Sequence, residues 1–553
     1  MEQTLIQSEP IHKTEKNWHK IAKEGGFYAV LFLITLFAYL TVKPLITEQS
    51  VGFVAQTLMI CALIVCVGVL VYLGATKRLT ARRIIVIMLI MGFILRLGYI
   101  LYTAGKVRQM DTYNNKSDHE AYAWSIYAYG KLPTTNKYQF YHPPFNAFIQ
   151  AGFMKFMSAL GKIFSWDESF FVKFSYMVPS KNFPYLTAER YFLYSSCQIL
   201  GVMYSTITAV VLLKTVGLFS FSNKTKVFLA AFVIFYPRQI QFAGQLNNDC
   251  LSYLLGTLAL YFALKWWKGG KRLPYILLCA LALGLGMMTK LSSATVALPI
   301  AGIFIYEFFV TLRKKTDSLV WWKLFLQYGA FLAICAPLGL WFQFYAKARF
   351  NQEFGYVFDN LVKSLYTGDE SFFDRFFIPR DLSEIFGRLY CQTHNGSYNI
   401  FNFMLRSSIF AEFSYQKGDM FAAVAVIFAY LSAIALFVGL IWSFVLWSKK
   451  AKKNNFKEAL GKLLSGKDFL FIFLLVQSQA LSQIYFNIKM PYSCTMDFRY
   501  IMPMILGMAL MLGYVQKTLV TEGGRASKAF SRILPLTVAA FLASSALFYC
   551  VCA

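Results

Sequence analysis

Stretches of about 20 mostly apolar residues, enough for a helix to cross the hydrocarbon core of a bilayer, recur along the chain from Phe27 to Tyr549. Spans are predicted near 27–44, 52–74, 84–104, 190–217, 226–241, 250–267, 274–289, 291–312, 320–346, 420–447, 468–487, 500–515 and 532–551. Hydrophobicity is continuous within each run and does not alternate every second residue, so a transmembrane β-barrel is excluded. The pattern predicts an all-α polytopic membrane protein, a bundle of about 13 transmembrane helices. Regions 105–189, 347–419 and 488–499 break the pattern, as do shorter tips at Arg238–Asp249 and Lys290. Within the first of these, Phe145–Lys162 is apolar but interrupted by Asn146, Gln150 and Lys155, which predicts an interfacial helix. Three parts follow: a membrane module over 1–346 with its loop 105–189, a large loop over 347–419, and C-terminal membrane helices over 420–553.

Composition agrees with this pattern: 57% of the 553 residues are hydrophobic and only 15% are charged. The net charge of +27 would suggest nucleic acid, but the basic residues lie in short clusters between apolar runs and not along one face. We read the clusters as topology signals. Lys13–Lys23, Lys77–Arg83, Lys265–Arg272, Arg313–Lys315, Lys449–Lys467 and Lys517–Arg532 all fall on one side when the spans are counted through, and the positive-inside rule makes that side cytoplasmic. The three large loops then face outward. The ten cysteines form no CxxC pair, and Cys391 and Cys494, both in outer loops, are the pair able to form a disulfide. The polar N-terminus carries no signal-peptide pattern, so the first span is expected to stay as an anchor.

Candidate chemistry concentrates in the first loop, where SDHEAYAWSIYAYGKLPTTNKYQFYHPPFN runs from Ser117 to Asn146. Asp118 is the leading candidate for a general base, with His119 and Glu120 beside it and Asp111 as a competing carboxylate. A helix-capping aspartate is the plain alternative for Asp118. Pro143 and Pro144 restrict the backbone before them and so hold Tyr141 and His142 in place as substrate-contacting candidates. In YPRQIQFAGQLNND, Arg238 suits a phosphate, while Asn248 and Asp249 could contact a sugar or cap the next helix. Lys290 in GMMTKLSS is a cation between apolar helices that needs an anionic partner. Arg499 and Tyr500 in DFRYIMP add a bidentate phosphate ligand and an interfacial aromatic. Arg96, inside the third span, is expected to be paired within the bundle. One acidic loop and three separate cations on one side suggest an anionic lipid substrate.

These motifs, SDHEAYA, YGKLP, YHPPFN, LNNDCLSYLL, GLGMMTKLSS and FRYIMP in this order, resemble the GT-C glycosyltransferases related to protein O-mannosyltransferases and bacterial aminoarabinose transferases. The resemblance covers roughly 105–300 and 497–515. It implies a GT-C-like bundle with extracytoplasmic loops, and an inverting transfer of sugar from a polyprenyl- or dolichyl-phosphate carrier to a lipid, glycan or protein acceptor at the non-cytoplasmic face. The first-loop aspartate of the family corresponds to Asp118, its HPP step to His142–Pro144, and its late Arg-Tyr to Arg499 and Tyr500. The chain departs from the family in carrying Asp118-His119 where many members have Asp-Glu, and in two additional spans before the usual first one. Loop 347–419 has no counterpart and is the expected acceptor region. No nucleotide motif is present, and a divalent metal stays open because Asp118, His119, Glu120 and His142 could converge. A transporter or flippase of lipid-linked saccharides and a noncatalytic membrane subunit are the rival functions. A bacterial cytoplasmic membrane is the expected location; in a eukaryotic endoplasmic reticulum, Asn115 and Asn395 would be glycosylation acceptors.

Overall fold

The computed structural model describes residues 11–46, 52–109, 111–113, 117–174, 186–313, 318–357, 362–394, 396–453 and 466–552. Asn115, Asn395 and parts of the Arg313–Lys315 and Lys449–Lys467 clusters lie outside them. Ten helices among the described residues are long and apolar enough to cross a membrane: Glu24–Leu45, Phe53–Ala75, Ala81–Tyr102, Ala188–Val216, Leu291–Arg313, Val320–Phe350, Asp419–Ala451, Lys467–Lys489, Met504–Thr521 and Arg525–Val551. The protein is an integral, multi-pass membrane protein. The other three predicted spans are helices at Asn223–Phe235, Asp249–Lys268 and Leu273–Thr289. Two of them have only 13 and 17 residues, about 20 and 26 Å at 1.5 Å per residue, against a core of about 30 Å. The third carries Asp249, Lys265 and Lys268 at its ends.

Many side chains on these helices face outward and are apolar. Val65, Val71 and Phe437 are each about two-thirds exposed, which is stable only against lipid. Inward faces merge into one hydrophobic core running from Ala55 to Cys552, so the last helix packs against the early ones. The Tyr102 hydroxyl donates to the Tyr549 carbonyl at 2.7 Å, and Arg108 donates to the Cys552 carbonyl at 3.0 Å. A second cluster lies beneath the first loop and joins Leu31, Tyr39 and Phe192 to Phe153 and Met157 of the Phe145–Ile163 helix. That helix is where the sequence predicts an interfacial one.

Arg96 is buried, and its partners are neutral: Ser205 Oγ at 2.8 Å and the carbonyls of Gly92 and Ile234 at 2.8 and 3.0 Å. No disulfide joins Cys391 and Cys494; the Cys391 Sγ donates instead to the Phe403 carbonyl at 3.5 Å. Close approach sets the position of the short Pro237–Phe242 helix, since a Cβ on Gly201 would stand 2.4 Å from the Ala243 carbonyl oxygen. Among the described residues the single β-type pairing is an isolated bridge between Tyr366 and Tyr492, which ties loop 347–419 to the segment before Arg499.

Candidate active site

Five segments far apart in sequence converge on one cavity of about 410 Å³. Asp111, His119, Gln139, Tyr141 and His142 come from the first loop, Asn247–Asp249 from the next connection, and Lys290–Ser292 and Thr295 from the third. Gly355–Val357 of loop 347–419 and the Ser482–Tyr500 region complete the wall. Every one of these connections lies on the same side in the alternation of predicted spans, opposite the basic clusters.

The first loop is shaped by caps and prolines. Asp118 is the N-cap of the His119–Tyr129 helix, and its carboxylate accepts from the Ala121 amide at 3.0 Å. The Asp111 carbonyl accepts from the His119 amide at 3.1 Å, so the start of this helix is held by both aspartates in different ways. A 3-10 turn at Tyr138–Tyr141 delivers His142 in an extended conformation before Pro143, as the restriction on a residue preceding proline requires. The two imidazoles then stack with centroids 5.6 Å apart and planes 14° apart. Tyr141 packs on His142 at 4.0 Å and edge-on to Tyr356 at 5.6 Å, which brings loop 347–419 to the same wall.

The opposite wall is cationic. Lys290 stands in an extended break between the Leu273–Thr289 helix and the Leu291–Val296 turn. It ion-pairs with Asp249 and lies 5.2 Å from the Tyr500 ring centroid. Arg499 donates to the Tyr500 hydroxyl at 3.0 Å and lies 3.7 Å from Glu412. The Asp249 Oδ2 and Asn248 Oδ1 are buried, with no hydrogen-bond partner among the described residues. Asn248 occupies a cap position but makes no cap bond; its amide donates to the Thr289 carbonyl at 3.3 Å.

Burial sets the protonation of this cavity. It pushes His119 down to about 4, an effect that the nearby Asp111 charge opposes and Lys290 reinforces. His142 goes well below its ordinary value for the same reason, with His119, Lys290 and Arg499 adding to the shift. Both imidazoles are therefore neutral near pH 7. Behind Arg499, burial raises the Glu412 carboxyl, and the Arg499 guanidinium 3.7 Å away opposes that shift.

Three predicted site residues stand elsewhere. Asp118 is fully buried in its cap and does not line the cavity; the helix start claims its carboxylate. Glu120 points away to a bidentate pair with Arg190 at 2.7 and 2.8 Å. Arg238 is fully buried against Asp497 at 2.8 Å, and that Asp497 caps the turn carrying Arg499 by accepting from its amide at 2.9 Å. Arg238 thus supports the anion site from behind. The structure does bring together His119, Tyr141, His142, Asn248, Asp249, Lys290, Arg499 and Tyr500.

The chain matches no protein-family model and no curated protein. Of the proposed metal donors, His119 and His142 meet while Asp118 and Glu120 turn away, and no group of three or more His, Cys, Asp or Glu side chains fit to hold a metal ion forms among the described residues.

Asp111, a competing carboxylate in the sequence, is the aspartate of the first loop that lines the cavity, where it accepts from the Tyr138 hydroxyl at 2.9 Å. Tyr356, Ser482, Gln483 and Phe486 were missed. For Gln483 a polar stripe was the signal: Gln479, Gln483 and Asn487 repeat every fourth residue through an apolar span and are all buried. Such a face inside a bilayer must look toward protein or a cavity.

Proposed function

We propose that the protein is a GT-C-type glycosyltransferase that takes a sugar from a polyprenyl- or dolichyl-phosphate carrier and transfers it with inversion to an acceptor at the non-cytoplasmic face. The observation that carries this reading is the pairing of Lys290 and Arg499 with Asp111, His119 and His142 across one cavity among membrane helices. An anion bound at the two cations gains charge-assisted hydrogen bonds in a low-dielectric setting, and a carrier whose tail lies in lipid can present its phosphate there. A bundle with 13 crossings and a bacterial envelope location belong to the same proposal.

In this mechanism the acceptor hydroxyl gives its proton to Asp111 as its oxygen forms a bond to the anomeric carbon. The bond from that carbon to the phosphate oxygen breaks, and the electron pair leaves with the phosphate. Lys290 and Arg499 stabilise the charge that develops on the departing group. His119 and His142, held neutral, offer hydrogen bonds to sugar hydroxyls without adding positive charge. Tyr356 places loop 347–419 where an acceptor would approach.

The test is mass spectrometry of glycolipids and glycopolymers from cells carrying the wild-type or the Asp111→Asn protein at equal level. A product present with wild type and reduced about 100-fold or more with Asp111→Asn is expected for loss of a general base. A flippase needs no such base, so unchanged product with Asp111→Asn would reject the enzyme reading in favour of transport.

A further inference from the structure

A second groove, of about 530 Å³, lies between the 383–389 segment of the large loop and the outward face of the Asp419–Lys453 helix. Its walls are of two kinds. Ile427 and Leu431 of the membrane helix are 56% and 43% exposed, as lipid-facing residues are. Phe386, on the loop side, is 79% exposed. The floor holds two arginines. Arg406 is buried, anchored to the Ile385 carbonyl and the Asn402 side chain, and its Nε has no hydrogen-bond partner among the described residues. Arg388 is partly exposed, and its Nη1 lies 3.5 Å from Glu384 without hydrogen-bonding to it. Glu384 spends its other oxygen on the Tyr398 and Asn399 amides at 3.0 and 3.1 Å. Two guanidinium charges thus face one carboxylate, at the end of the helix where the loop meets the membrane.

We infer that this groove binds the headgroup of an anionic phospholipid from the leaflet on the loop side, separately from the cavity around Arg499. Arg388 contacts the phosphate, Arg406 supplies a fixed charge beneath it, and an acyl chain runs along Ile427 and Leu431. The occupant follows from the combination: the charge selects an anion, and the lipid-facing helical wall selects one with a hydrocarbon tail. Arg406 is held in place by hydrogen bonds to Asn402 and to the Ile385 carbonyl, so its charge is preorganised.

Native mass spectrometry of the purified full chain with an equimolar mixture of phosphatidylglycerol and phosphatidylcholine of identical chains tests the assignment. Phosphatidylglycerol should be retained about fivefold over phosphatidylcholine, the scale for one basic residue at an anionic lipid surface. Arg388→Gln should remove the preference, and Ile427→Trp, which fills the groove from a lipid-facing position, should do so even if Arg388→Gln fails to fold. Arg380→Gln, a highly exposed arginine on the same loop, should leave the preference intact, and so should Arg499→Gln. Equal retention of the two lipids, or a preference unchanged by both groove variants, would overturn the inference. Loss of the preference in Arg499→Gln would move the lipid to the cavity, and displacement by millimolar inorganic phosphate would make the groove a free-anion site; either result would also overturn it.

Discussion

Asp111 and Asp118 have the same side chain and share one loop, but their surroundings separate them. Asp118 spends its carboxylate on a helix start, whereas Asp111 sits in a left-handed turn, φ 54°, that presents it to the cavity. Asp118→Ala should therefore act on stability, costing about 1 kcal/mol or more for a lost N-cap, with transfer by the folded fraction retained. A thermal-unfolding series read beside specific activity would check this, and specific activity falling as far as in Asp111→Asn would contradict it. The stacked histidines make a pH prediction. With His119 pushed down to about 4 and His142 also lowered, the unfolded chain, whose histidines titrate near 6.5, takes up protons first on acidification. Their contribution to stability is whole above about pH 6.5 and is lost as pH falls toward 4. The unfolding midpoint should drop between about pH 7 and pH 5, and less steeply in His119→Gln; an identical slope in both proteins would refute the assignment. At this scale the sequence indicated the neighbourhood but not the roles. Which of two aspartates caps and which faces a cavity depends on a turn that no local pattern specifies.

Among elements, the most consequential correction concerns Arg238. Its motif reads as a phosphate ligand because a guanidinium suits a phosphate, yet the short Pro237–Phe242 helix carries it into the protein, where Asp497 meets it. That contact spans two segments far apart in sequence, so neither could reveal it alone. Arg238→Met should destabilise the fold by about 3–5 kcal/mol, since it strands a buried carboxylate. Unfolding of the purified variant, followed by heat, measures this; wild-type stability together with lost carrier binding would restore Arg238 as a direct ligand. The Phe145–Ile163 helix and the long apolar helices were legible because hydrophobic length and period are local properties. The Asn223–Phe235 and Leu273–Thr289 helices were legible as apolar runs, but their shortness depends on where helix caps and breaks fall.

For the whole molecule, what matters is the convergence of alternate connections. The cavity gathers five segments, far apart in sequence, that the span count drawn from hydropathy expects on the side opposite the basic clusters. The polar stripe of the Lys467–Lys489 helix and the fully buried Arg238–Asp497 pair bring C-terminal residues to a wall begun in the first loop. No division of the chain at 346 or 420 would leave that wall intact. The central claim is that Lys290 and Arg499 together hold a carrier phosphate, and its most direct test is equilibrium binding of a polyprenyl monophosphate to the purified protein. Lys290→Gln and Arg499→Gln should each weaken that binding about 10- to 100-fold, as expected for loss of one charged hydrogen bond, while Asp111→Asn stays within about twofold of wild type. Binding of wild-type strength in both cation variants would contradict the account.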